Sequence, residues 1–114
     1  MTEADLVQQL ASVAPQAQAI LSERLADNGE VLLHPLVARM RDLAIDAYER
    51  GDEILSARLV AVFDAGLRDG DDSVQNAVSV SFVEDTPCWE PTRQRFIENW
   101  RKALRDEAQR WRGR

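Results

Sequence analysis

Apolar residues recur along this chain at three- and four-residue steps, and Gly, Pro and acidic residues interrupt them at helix-sized intervals. Thr2-Glu3-Ala4-Asp5 has the layout of a capping box, with Asp at the position usually held by Glu or Gln. Leu6, Val7, Leu10 and Val13 follow it at helical spacing. Pro15 suits the first turn of a second helix, because its missing N–H is not needed there. That helix carries Ala17, Ile20, Leu21 and Leu25, and Asp27-Asn28-Gly29 stops it. His34-Pro35 opens a third helix with Leu36, Val37, Met40, Leu43, Ala44, Ala47 and Tyr48, ended by Gly51. Asp52 can cap a fourth over residues 53 to 68, bearing Ile54, Leu55, Leu59, Val62, Phe63 and Leu67. Gly70 ends it, and Gly29, Gly51 and Gly70 are all expected to close helices in the left-handed conformation.

The next stretch is ambiguous. Val78-Ser79-Val80-Ser81-Phe82-Val83 alternates apolar and polar residues like a half-buried strand. A strand needs a partner, however, and only Glu30-Val31-Leu32-Leu33 offers one before Pro35 cuts it short. As a helix capped by Asp72 or Ser73, the segment places Val74, Ala77, Val78, Ser81 and Phe82 on one face. Val80 and Val83 fall on another, together with Asn76, whose amide would then need buried partners. A helix apolar on nearly every side belongs at the centre of a bundle. Helix is the reading adopted.

Glu90-Pro91-Thr92 starts a last helix in which Phe96, Trp100, Ala103, Leu104, Glu107 and Trp111 form a narrow stripe on a charged rod. Trp100 and Trp111 are eleven residues apart and return to nearly the same face. The pattern predicts one all-α domain over residues 1 to 114. It has about six helices, as a compact bundle or a short HEAT-like stack with helices three and four against five and six.

Charge changes the picture. The net charge of -6 conceals an asymmetry. Residues 1 to 90 hold 6 Arg and no Lys against 17 acids, or -11; residues 91 to 114 hold 8 Lys and Arg against 3 acids, or +5. Such a body repels nucleic acid and attracts basic partners, and only the last helix could meet phosphates. There the basic Arg101, Lys102, Arg105, Arg110 and Arg112 are interleaved with Glu98, Asp106 and Glu107, which argues against nucleic acid. A single Cys precludes an internal disulfide, no run spans a membrane, and MTEADLVQQL resembles neither signal nor transit peptide. The expected location is the cytoplasm.

Candidate chemistry is sparse. No phosphate-binding, dinucleotide, nucleophile-elbow or zinc motif occurs, and one His with one Cys cannot build a metal cluster. Cys88 has no base near it in sequence. Asp69-Gly70-Asp71-Asp72 fails as a calcium loop, since Val74 and Val80 stand where Gly and Glu are required. A non-enzymatic protein with no cofactor and no metal is expected. What remains is an acidic segment around an aromatic anchor: Asp69, Asp71, Asp72, Asn76, Glu84, Asp85, Trp89 and Glu90, suited to a basic protein partner. The alternative is a homodimer formed through the stripe of Phe96, Trp100, Leu104 and Trp111. A nucleic-acid accessory role through the same basic helix ranks third.

The run from Asp72 to Glu84, DSVQNAVSVSFVE, resembles small bacterial helical domains in which an acidic turn leads into a helix with an Asn, a Ser-Phe pair and a Glu. Some of these resemble immunity proteins of polymorphic or contact-dependent toxin systems. The likeness covers about residues 50 to 90. It implies a protein that binds one cognate toxin domain and blocks it, and it transfers no inhibitory residue.

Overall fold

A computed structural model describes residues 1–28, 32–84, 86 and 91–112. They form seven α-helices, and no strand occurs among the described residues: α1 (Glu3–Ala11), α2 (Pro15–Asn28), α3 (Leu33–Glu49), α4 (Glu53–Asp69), α5 (Asp72–Ala77), α6 (Pro91–Glu98) and α7 (Lys102–Arg112). A π-helical segment, Val78–Glu84, continues α5 directly. The all-α bundle read from the sequence is the architecture found. Its core is one cluster that draws on every helix, and its radius of gyration of 13.2 Å is that of a close-packed domain.

The helix starts follow their local chemistry. Asp5 N–H donates to Thr2 Oγ1 at 3.2 Å and Thr2 N–H donates to Asp5 Oδ2 at 2.9 Å, so the capping box is complete. The Thr2 amide, and after it the Thr2 hydroxyl, hold the Asp5 carboxyl below its ordinary value. α3 begins at Leu33 with Pro35 in its first turn and packs along α4. The link between them turns at Gly51, whose φ of 85° lies in the left-handed region, and Asp52 Oδ1 caps α4 by accepting from Leu55 N–H at 3.2 Å. Gly29 lies outside the described residues. Leu25 and Ile54, read as stripe members, are exposed.

Gly70 closes α4 differently from the expectation. Its backbone is extended (φ -73°, ψ 156°), and its N–H donates to Gly66 O at 3.0 Å. Glycine is required here for space. A Cβ would stand 2.2 Å from Gly66 O and 2.7 Å from Val74 Cγ1. Gly70→Ala should therefore cost about 1–3 kcal/mol through overpacking, read as a lowered urea midpoint with unchanged slope.

The ambiguous segment is helical and central, packing against α3, α4 and α7. Its cap is Asp71, one residue earlier than expected, with Oδ1 accepting from Val74 N–H at 3.0 Å. After Ala77 the helix widens to the π form. Donors outside the helix reach two of its carbonyls: Arg41 Nη1 donates to Ser81 O at 3.1 Å and Thr86 Oγ1 to Phe82 O at 2.6 Å. The wider turn also breaks the α-register that grouped Asn76 with Val80 and Val83. Asn76 is exposed, Val80 half-buried and Val83 buried. Phe82 is the hub of an aromatic cluster, with ring centroids 4.6 Å from Phe63, 5.3 Å from Trp100 and 6.4 Å from Phe96.

The single last helix of the sequence reading is two helices, separated by Asn99-Trp100-Arg101. Asn99 Nδ2 donates to Arg95 O at 2.8 Å, closing α6 with its own side chain. α7 is then capped from another helix. Leu104 N–H, one of its otherwise unpartnered first-turn donors, bonds Asp64 Oδ1 on α4 at 3.2 Å. Asp64 is buried, and its second oxygen lies 3.5 Å from Arg68 Nη1. The break lets Trp100 enter the core while α7 docks on α4.

Candidate partner-binding face and groove

α7 runs past the end of α4, α5 and the start of the π segment, leaving a polar groove of about 560 Å³ between them. Leu67 and Arg68 of α4, Asp72, Gln75 and Asn76 of α5, and Ser79 line one side. Ala103, Asp106, Glu107 and Arg110, at helical spacing on α7, line the other. Gln75 Nε2 donates to Leu67 O at 3.1 Å and fixes the α4–α5 corner.

Ser79, Glu107 and Trp111 form a partly buried polar network. Ser79 Oγ donates to Glu107 Oε1 at 2.9 Å and accepts from Trp111 Nε1 at 3.0 Å. Glu107 is only 8% exposed, and Arg110 Nη1 lies 3.0 Å from its other oxygen. Nearer the surface, Lys102 Nζ bonds Asp106 Oδ2 at 2.6 Å, and this bond holds the Asp106 carboxyl below its ordinary value. Across the π segment, His34 Nδ1 and Ser81 Oγ are 2.9 Å apart and join it to α3.

The residues expected to contact a partner are distributed unevenly. Asp72 and Asn76 are exposed and line the groove. Asp69 is exposed beside it but ion-paired to Arg68 at 3.1 Å. Asp71 is exposed and engaged as the α5 cap. Glu84 is exposed but belongs to a different cavity of about 260 Å³, lined also by Val83, Thr86, Ile97, Trp100, Ala108 and Trp111. Among the described residues the two cavities share no lining residue. Asp85, Trp89 and Glu90 lie outside the described residues, as does Cys88. Arg68 and Arg110 interrupt the acidic surface, so the groove has mixed charge with acids in excess.

The stripe offered for self-association is largely internal. Phe96, Trp100 and Leu104 are buried within the single chain, and Trp111 is half-buried. The packing role accounts for these residues. Sequence reasoning missed Glu107, Ser79, Arg68 and Arg110 as groove residues. One signal was present: Glu107 occupies a position of the apolar stripe, where a carboxylate must find buried partners.

The chain belongs to the family described as a domain of unknown function, DUF7674, whose model matches residues 7–112. No curated protein matches it. No solved structure does either.

Proposed function

We propose that this DUF7674 chain is a non-catalytic protein-binding module whose acidic face, centred on the groove between α5 and α7, receives a basic partner protein. The carrying observation is the exposure of Asp72 and Asn76 along a concave polar surface, with Asp69 exposed beside it, on a body with a charge of -11 over residues 1 to 90. The groove itself is of mixed charge, and the summed negative charge of the body around it raises the rate of encounter with a basic partner. Helices on both sides hold the surface in place, so little ordering entropy opposes binding.

An immunity-type inhibitor is the specific form of this reading. Toxins that cut nucleic acids need basic clefts to attract phosphates, and a rigid acidic helical domain fits over such a cleft. Inhibition then requires only steric and electrostatic blockade.

The test must spare Asp71, because replacing it removes the α5 cap at a cost of about 0.5–2 kcal/mol. The variant Asp69→Lys/Asp72→Asn/Glu84→Lys is used instead. Tagged native protein at low salt should capture one basic protein that the variant loses, with association slowing as salt is raised. The captured protein should be toxic when expressed alone and harmless when co-expressed with the native chain. Equal capture by both forms would remove the acidic-face reading, and a harmless captured protein would remove the immunity reading.

A further inference from the structure

A third cavity, of about 220 Å³, lies where α4 passes the ends of α3 and α6. Among the described residues it shares no lining residue with the other two. Glu53, Ser56 and Val60 form one wall, at three- and four-residue steps along a face of α4. Tyr48 in the last turn of α3, Phe96 of α6 and Asn99 just beyond it form the other. The C-terminal ends of α3 and α6 favour a cation, and Asp52 and Glu53 offset the opposite charge at the start of α4.

Ser56 is the residue that points to a ligand. It is 4% exposed, and its hydroxyl makes no hydrogen bond among the described residues. A buried polar group without a partner is costly. Its oxygen is not among the unbonded side-chain atoms sealed inside the protein, so its small remaining surface opens on the cavity. One water would satisfy it, but the space exceeds the roughly 30 Å³ of a water several-fold. Val60 and Phe96 offer further waters no polar partner.

The other polar groups are acceptors. Asn99 Nδ2 donates to Arg95 O at 2.8 Å and to Tyr48 Oη at 3.3 Å, which leaves Asn99 Oδ1 open. Glu53 is exposed and carries no ion pair among the described residues. No described Lys, Arg or His lines the cavity. We propose that this cavity binds a primary ammonium on a short alkyl chain, as a free alkylamine or a lysine side chain carries. Its three N–H donors match Ser56 Oγ, Asn99 Oδ1 and the Glu53 carboxylate. The Tyr48 and Phe96 rings, with centroids 5.8 Å apart, give the adjoining carbons an aromatic wall. The volume is below the range of about 300–1,000 Å³ usual for larger ligands, which limits the chain to a few carbons. This inference is independent of the acidic-face reading.

The probe is n-butylammonium, added to the intact chain at low ionic strength. Proton–nitrogen spectra are followed at the Asn99 side-chain amide, which Asn99→Ser identifies. Butanol keeps the carbon chain without the charge, and butyltrimethylammonium keeps the charge without N–H donors. Butylammonium should give a saturable shift, and both controls should bind about tenfold more weakly, the scale of one charge-assisted hydrogen bond. Ser56→Ala should weaken butylammonium about tenfold. Its urea midpoint should be no lower than the native one, because the hydroxyl bonds nothing in the fold. Glu53→Gln alters an exposed group and should weaken binding several-fold, by less as salt is raised.

Equal binding of butanol or of the quaternary ion would overturn the proposal. So would unchanged affinity in Ser56→Ala, or a lowered midpoint, which would show the hydroxyl to be bonded within the fold. Partner capture by Glu53→Gln/Ser56→Ala then identifies the source. Lost capture assigns the ammonium to a lysine of the partner and retained capture to a free amine, and either result upholds the site.

Discussion

Phe82→Ala should destabilise the protein by about 3–5 kcal/mol, enough to leave a domain of this size barely folded at room temperature. Phe82 is fully buried and its ring contacts those of Phe63, Trp100 and Phe96, which come from α4, the Asn99–Arg101 break and α6. Removing it deletes apolar burial and leaves a cavity among rigid rings that cannot collapse into it. The central segment also loses the anchor that fixes its wide turn. Urea unfolding followed by far-ultraviolet circular dichroism checks the magnitude. Phe82→Leu, which keeps most of the volume, should recover more than half of the loss. A cost below about 1 kcal/mol for the alanine variant would mean that the aromatic cluster is not the organising core.

The second large effect concerns a carboxylate. Asp64→Ala should cost about 2–3 kcal/mol, because it removes a cap and strands a buried N–H of Leu104. The loss should be local as well as global. Amide exchange in Lys102–Arg112 should accelerate by more than that in α3, since α7 loses its only described link to the α4 carboxylate. Asp64→Asn keeps an acceptor in place and should retain about half of the stability. Uniform destabilisation, with α7 no more labile than α3, would show that Asp64 does not act as the cap.

These two residues mark what was and was not legible in the sequence. Phe82 was readable: its apolar neighbours at helical spacing, and the lack of any partner strand, pointed to a central helix. The caps at Thr2 and Asp52 were readable too, because a cap bonds a donor three residues away and needs no tertiary information. Asp64 was not readable. It sits inside α4, where an acid ordinarily faces water, and the donor that it serves is forty residues further on. The same distance hid the division of the last helix. Its stripe continues through Asn99-Trp100-Arg101, and the reward for breaking there lies on α4. The π segment was hidden for a related reason, since one donor that bonds its carbonyls belongs to Arg41, forty residues earlier.

The candidate site was legible in its charges and less so in its shape. Asp72 and Asn76 were named from composition and position, and they do share a concave surface. Glu84 was grouped with them because it follows within twelve residues, yet the widened turn delivers it to another cavity. Glu107 announced itself only as an irregularity in an apolar stripe. Counting acids locates a region; the register of the helices decides which acids meet.

The cap supplied by α4 to α7 also sets an order of events during synthesis. α1 to α4 hold their own caps or nearest partners, so they can begin to pack as they leave the ribosome. Phe82 then waits for Phe96 and Trp100, and α7 cannot be completed until Asp64 is already in place. Cooperative closure therefore comes only after α7 has emerged. Until then the Phe82 ring lacks its Phe96 and Trp100 neighbours.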